Sequence, residues 1–153
     1  MSSVLGPQAV VHQAGEGEVN RAFGLPRLIR VTPEETGGTF SAWIDEVPEG
    51  VGPPLHVHHD AQEFFCVLEG RVLFRCSGRN AELGPGGTAL VPQHAEHTYK
   101  TLAPTRMLVT ITPGRFIGFF REVEAEGLSP ERDMERITTI ARDYDLEFTG
   151  PPI

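Results

Sequence analysis

The chain has 153 residues, 39% hydrophobic and 22% charged, with a formal net charge of -8. That is the size of one soluble globular domain, which buries roughly 70% of its unfolded surface and needs no disulfide scaffold. Thirteen Lys and Arg against 21 Asp and Glu, with no basic run, argue against nucleic acid as a partner.

No apolar stretch reaches the about 20 residues that a bilayer requires. Met1-Ser2-Ser3-Val4 lacks the basic region and apolar core of a signal peptide, so no membrane association and a cytoplasmic location are expected. Cys66 and Cys76 are the only thiols, which fits a reducing compartment.

Gly and Pro cut the first two thirds into short apolar runs of strand length. The expected strands are Ala9–His12, Leu28–Val31, Thr39–Asp45, Leu55–His58, Glu63–Leu68, Arg71–Cys76, Thr88–Val91, Thr98–Leu102 and Met107–Thr112. Many short strands of this kind imply a sandwich or a barrel. Phe64–Leu68 and Val72–Phe74 read as a hairpin turned at Glu69-Gly70. After Pro113-Gly114 the period changes: Phe116, Phe119, Phe120 and Val123 fall at helical spacing. A second helix starts at Ser129 as N-cap, with Met134, Ile137, Ile140, Ala141 and Tyr144 on one face. Gly150-Pro151-Pro152-Ile153 is expected to be extended. No linker or repeat divides the chain, so residues 1–153 read as a single domain with a barrel core of about 25–113 and a helical tail of about 114–153.

Five of the six histidines, His56, His58, His59, His94 and His97, lie in two short segments either side of the expected hairpin. His56 and His58 are two apart, so on a strand both imidazoles project from one face, as a metal pair requires. Glu63 follows at the start of the next strand, and His97 on a later strand is the natural fourth ligand.

These positions resemble the cupin superfamily. Its first motif, G-x5-H-x-H-x4-E-x6-G, reads here as Gly50, His56, His58, Glu63 and Gly70 without a gap. Its second, G-x5-P-x-G-x2-H-x3-N, is met at Gly86, Pro92 and His97, with His94 in place of glycine and Thr101 in place of asparagine. The resemblance implies an all-β double-stranded β-helix, a jelly-roll barrel, here followed by two C-terminal α-helices. It also implies one divalent transition metal (Fe, Ni, Mn, Co, Cu or Zn) held by His56, His58, Glu63 and His97. The aromatic tail is similar to that of small single-domain bacterial cupins of the quercetin 2,3-dioxygenase type. That likeness implies an oxidoreductase cleaving a flavonol-like or other enolisable small molecule with O2, with Glu63 as both ligand and general base. Cupins also include oxygen-independent isomerases, cyclases and lyases, and binding proteins without catalysis, so these remain alternatives. A homodimer is expected from the same likeness.

Counting from the expected turn pairs Phe65 with Phe74 and Glu63 with Cys76, which puts Phe65, Phe74 and Cys76 on the metal-facing side as pocket walls. Tyr99 and Thr101 follow His97 at period two and face inward, as barrel core or as substrate contacts. Cys66 falls on the opposite face from Cys76, so no disulfide joins them. His59 and His94 are expected in loops or at the surface. Phe116, Phe119 and Phe120 read as core or dimer interface, with a lid over the barrel mouth as the alternative. Glu122, Glu124 and Glu126 read as a solvated face.

Overall fold

The computed structural model describes residues 7–153, so the reading of Met1–Val4 lies outside the described residues. Among them, eleven strands numbered along the chain form two antiparallel sheets. The first sheet is ordered β1 (Glu18–Asn20), β2 (Arg27–Val31), β3 (Ser41–Val47), β10 (Thr105–Thr112), β5 (Gln62–Glu69), β8 (Thr88–Val91). The second is ordered β11 (Leu146–Gly150), β4 (Leu55–His58), β9 (His97–Thr101), β6 (Val72–Cys76), β7 (Arg79–Leu83). This is the jelly roll that the motifs implied.

Side chains alternate between the core and the outer faces. On β5, Glu63, Phe65 and Val67 are buried while Gln62, Phe64 and Leu68 are exposed. On β10, Met107, Val109 and Ile111 point inward, each 1% exposed or less. Burial of that order contributes about 1.5–3 kcal/mol per large apolar side chain.

The expected hairpin between β5 and β6 does not form. Both edges of β5 are taken by β10 and β8, and both edges of β6 by β7 and β9, so the chain crosses from one sheet to the other at Gly70. That crossing is tight: Gly70 has φ +92°, and a Cβ there would lie 2.4 Å from the Pro104 carbonyl oxygen. Phe65 and Phe74 still meet across the interior, with ring centroids 5.3 Å apart, because each points inward from its own sheet.

Ala9–His12 is not a strand; it is irregular and mostly exposed, lacking a partner edge to complete its hydrogen bonds. β1, β7 and β11 are strands that the periodicity did not mark. They are short or polar, and pairing rather than propensity makes them strands. Otherwise the expected strands agree with the observed ones to within two residues.

A short helix α1 (Pro33–Thr36) is closed by a Thr32–Glu35 capping box. The tail forms α2 (Ile117–Glu126) and α3 (Pro130–Asp143). Ile117, Phe119 and Val123 are buried on α2, and Ile137, Ile140 and Ala141 on α3. Ser129 is extended and precedes Pro130, but its hydroxyl does not cap the helix; its backbone N–H donates to Asp133 Oδ2 instead. Two arginines fasten the tail to the barrel. Arg121 reaches both carboxylate oxygens of Glu18 and also Glu34, while Arg115 reaches Asp60 and the Asp143 carbonyl. The expected solvated face is partly engaged as well, since Glu124 accepts from Arg21 N and Glu126 from Arg136.

Candidate metal centre and its cavity

β4 carries His56 and His58, β5 carries Glu63, and β9 carries His97 directly opposite His56 in register. All four are buried, and one ligand atom from each lies within 4.8 Å of all the others. Glu63 Oε1 is 3.3 Å from His58 Nε2 and 3.0 Å from His97 Nε2.

Backbone carbonyls set the ring orientations. His56 Nδ1 lies 2.8 Å from the Pro54 carbonyl oxygen and His97 Nδ1 3.3 Å from that of Ala95, which directs both Nε2 atoms toward the centre. A neutral imidazole can donate from only one nitrogen, yet His97 faces an oxygen from each of its two. A cation held between His97 Nε2 and Glu63 would resolve that conflict. Charge points the same way. Burial, reinforced by His97 and His58, holds His56 down to about 3, so it stays in the neutral, ligating form. Burial pushes Glu63 up, but His58 and His97 outweigh it and keep the carboxyl below its ordinary range. Three imidazoles, of which His56 is held neutral, and one buried carboxylate form a nitrogen and oxygen donor set that fits the transition metals named above.

The departures from the second motif have local explanations. His94 adopts φ +72°, the left-handed conformation that glycine takes without strain, and its imidazole lies 3.1 Å from His59 Nδ1 near the surface. Thr101 takes up loop fixing: its hydroxyl accepts from Val51 N at 3.0 Å and donates to the Pro48 carbonyl, anchoring the Gly50 turn that leads into β4.

A cavity of about 470 Å³ opens beside the centre. His56, His58 and Glu63 line it, while fully buried His97 closes the back. Of the expected pocket walls, Phe65 and Tyr99 do line the cavity. Phe74 and Cys76 do not: Phe74 packs against Phe65 and the His97 ring, and Cys76 stands on β6 opposite His97 in register. Both stand on β6, which lies in the sheet facing β5 and not beside it in a hairpin. Phe116, Phe119 and Phe120 wall the cavity from the tail side, with the Phe116 ring edge-on to His58 at 4.6 Å. Leu146 and Phe148 of β11 join them, paired in register with His58 and His56. Sequence reading missed Arg27, Asp45 and Trp43, which also line the cavity. The available signal was phase: Ser41, Trp43, Asp45 and Val47 alternate as inward positions of β3, which puts a carboxylate inside.

Jelly-roll topology with a buried three-His, one-Glu quartet beside an apolar cavity defines a small barrel with a candidate metal centre. A family model described as Cupin domain matches residues 43–111. The chain is 31% identical over 116 residues to quercetin 2,3-dioxygenase of Bacillus subtilis, covering 74% of this chain and 34% of that enzyme. It is 28% identical over 86 residues to L-ectoine synthase of Halomonas elongata, covering 56% of this chain and 63% of the synthase. It thus spans about a third of the first relative and under two thirds of the second. An RmlC-like cupin from Shewanella frigidimarina superposes with a TM-score of 0.61 at 19% identity, over 71% of this chain and 94% of that one. The chain belongs to the cupin superfamily.

Proposed function

We propose that the chain is a mononuclear metal-dependent oxidoreductase of the quercetin 2,3-dioxygenase type, acting with O2 on a flavonol-like or other enolisable small molecule. The observation that carries this reading is the convergence of His56, His58, Glu63 and His97 at one end of an aromatic-walled cavity. A bound divalent ion would supply Lewis acidity toward a chelating enol oxygen and, if redox-active, a path for electrons. The protein's own contribution is positional. Glu63, kept ionised by His58 and His97, is the base that takes the enol proton on a carboxylate oxygen. Phe65, Tyr99, Trp43 and Phe116 hold a planar substrate and exclude water. Burial beside Asp45 raises the Tyr99 phenol well above its ordinary value, so it stays protonated as a donor.

The similarity to L-ectoine synthase supports a second reading, an oxygen-independent isomerase, cyclase or lyase using the same ligands. Metal analysis on tag-free protein, followed by oxygen uptake with flavonols and other enols, separates the two. About one redox-active ion per chain, oxygen consumption, and its loss in Glu63→Gln support the dioxygenase. Equal turnover under argon supports the second reading. Protein that stays metal-free after reconstitution with iron, nickel, manganese and zinc overturns both in favour of a metabolite-binding barrel. The free thiols Cys66 and Cys76 suit a reducing cytoplasmic setting. Phe64, Leu68 and Leu90, exposed on the outer face of the first sheet, suit a homodimer.

A further inference from the structure

His59 and His94 are the two histidines of the motif segments that the proposed chemistry does not use. Strand alternation separates them from the quartet: His58 ends β4 buried and pointing inward, so His59 turns outward to the surface. His94 lies in the turn before β9 and is exposed as well. The two rings meet there, Nδ1 facing Nδ1 at 3.1 Å.

Contacts from distant parts of the chain hold this pair in place. The His59 N–H donates to the Asp145 carbonyl at 2.9 Å, the His59 carbonyl accepts from Gln93 Nε2, and the His94 N–H donates to the His58 carbonyl at 2.9 Å. On the far side of the His59 ring, Nε2 lies 3.1 Å from Glu147 Oε1. A carboxylate only accepts, so it fixes the proton of the neutral ring on Nε2 and leaves Nδ1 as a lone pair aimed at His94. Metal-binding histidines are oriented by a carboxylate in this way. His94 is held at φ +72°, in the left-handed region that a β-carbon disfavours. Glycine would satisfy that turn at less cost, so the turn itself does not account for a histidine.

The spacing fits an ion. Two nitrogens each about 2.0–2.1 Å from one metal stand roughly 2.9–3.4 Å apart at coordination angles between square and tetrahedral. The His59–His94 separation of 3.1 Å falls in that range, as do the 3.3 and 3.0 Å separations of Glu63 from His58 and His97 in the quartet. In the metal-free pair His94 Nδ1 donates its proton to His59 Nδ1; once that proton moves to His94 Nε2, both Nδ1 lone pairs face one point. We propose that His59 and His94 form a second metal site, at the surface, for zinc or another divalent ion that imidazole favours, with Glu147 as a positioning residue and water completing the shell. An ion there ties the end of β4 to the turn before β9, the two segments that carry His58 and His97, and so staples the flank of the quartet without entering it. The site does not depend on whether the quartet itself is occupied.

Zinc titration of tag-free protein against a competing chelator tests the proposal. Wild type should bind one more zinc ion per chain than His94→Gly, whose glycine suits the left-handed backbone, whatever the quartet holds. Glu147→Ala should weaken that additional ion about tenfold, as loss of an outer partner does. At saturating zinc the melting temperature of wild type should rise further than that of His94→Gly, because the ion binds the folded pair. Melting without zinc verifies that both variants fold. Equal zinc stoichiometry in wild type and His94→Gly, at one ion or at none, overturns the site. An additional ion held equally well by Glu147→Ala overturns the positioning role of Glu147. A melting temperature raised equally in wild type and His94→Gly overturns the staple.

Discussion

Two buried polar clusters face the same cavity, and they balance charge differently. His56, His58, Glu63 and His97 bring one carboxylate and three imidazoles together, with His56 held neutral, as a donor set for a cation from outside. Arg27 and Asp45 compensate each other inside the protein and are steadied by Asn20, Trp43 and Phe120. The first cluster offers ligand atoms to an ion, and the second satisfies its charges within the protein. Burial is common to both, so charge balance rather than polarity separates their roles.

The largest effect expected to break this contrast is on metal affinity. His58→Ala should cost metal affinity well beyond the about 10–100-fold that outer partners of a metal site cost, whereas Asp45→Leu should leave it within that range. Metal titration with a competing chelator checks both. Next comes stability. Arg27→Met or Asp45→Leu alone leaves a buried unpaired charge and should lower unfolding free energy by about 3 to 5 kcal/mol, while the double variant should lose much less than the sum. Urea unfolding of the four proteins reads the coupling.

The smaller effect is in pH. His56 titrates near 3 in the fold against its ordinary 6.5, so the unfolded chain binds more protons across that window. Stability of the metal-free protein should therefore fall as pH drops from about 6.5 toward 3. Glu63, held below its ordinary 4.5, acts with the same sign below that value. Asp45 is pushed up by burial against the pull of Arg27 and Trp43, so the fold favours its protonated form and it opposes the trend. Melting curves between pH 7 and 4 should flatten in His56→Leu and steepen in Asp45→Leu. A slope unchanged in both would separate the acid response from the two clusters.

The candidate metal quartet was readable because three of its four members lie within eight residues, at a spacing that a strand translates directly into one face. Most strands were legible for the same reason, since alternation and Gly/Pro punctuation are local. The helical tail announced itself by its change of period. Local pattern also determined the inward phase of Phe65 and Tyr99. It did not determine which strands pair: the Glu69-Gly70 turn has hairpin chemistry, yet β5 and β6 lie in opposite sheets because their edges are claimed by strands distant in the chain. That decision removed Phe74 and Cys76 from the cavity wall. Pairing also turned Leu146–Gly150 into a strand beside His56 and His58 and brought Arg27 against Asp45 across two strands. Sequence by itself determined the candidate quartet and its face, because strand geometry repeats every two residues; the tertiary structure alone decided what surrounds that face, because strand partners are chosen by long-range packing that no local period records.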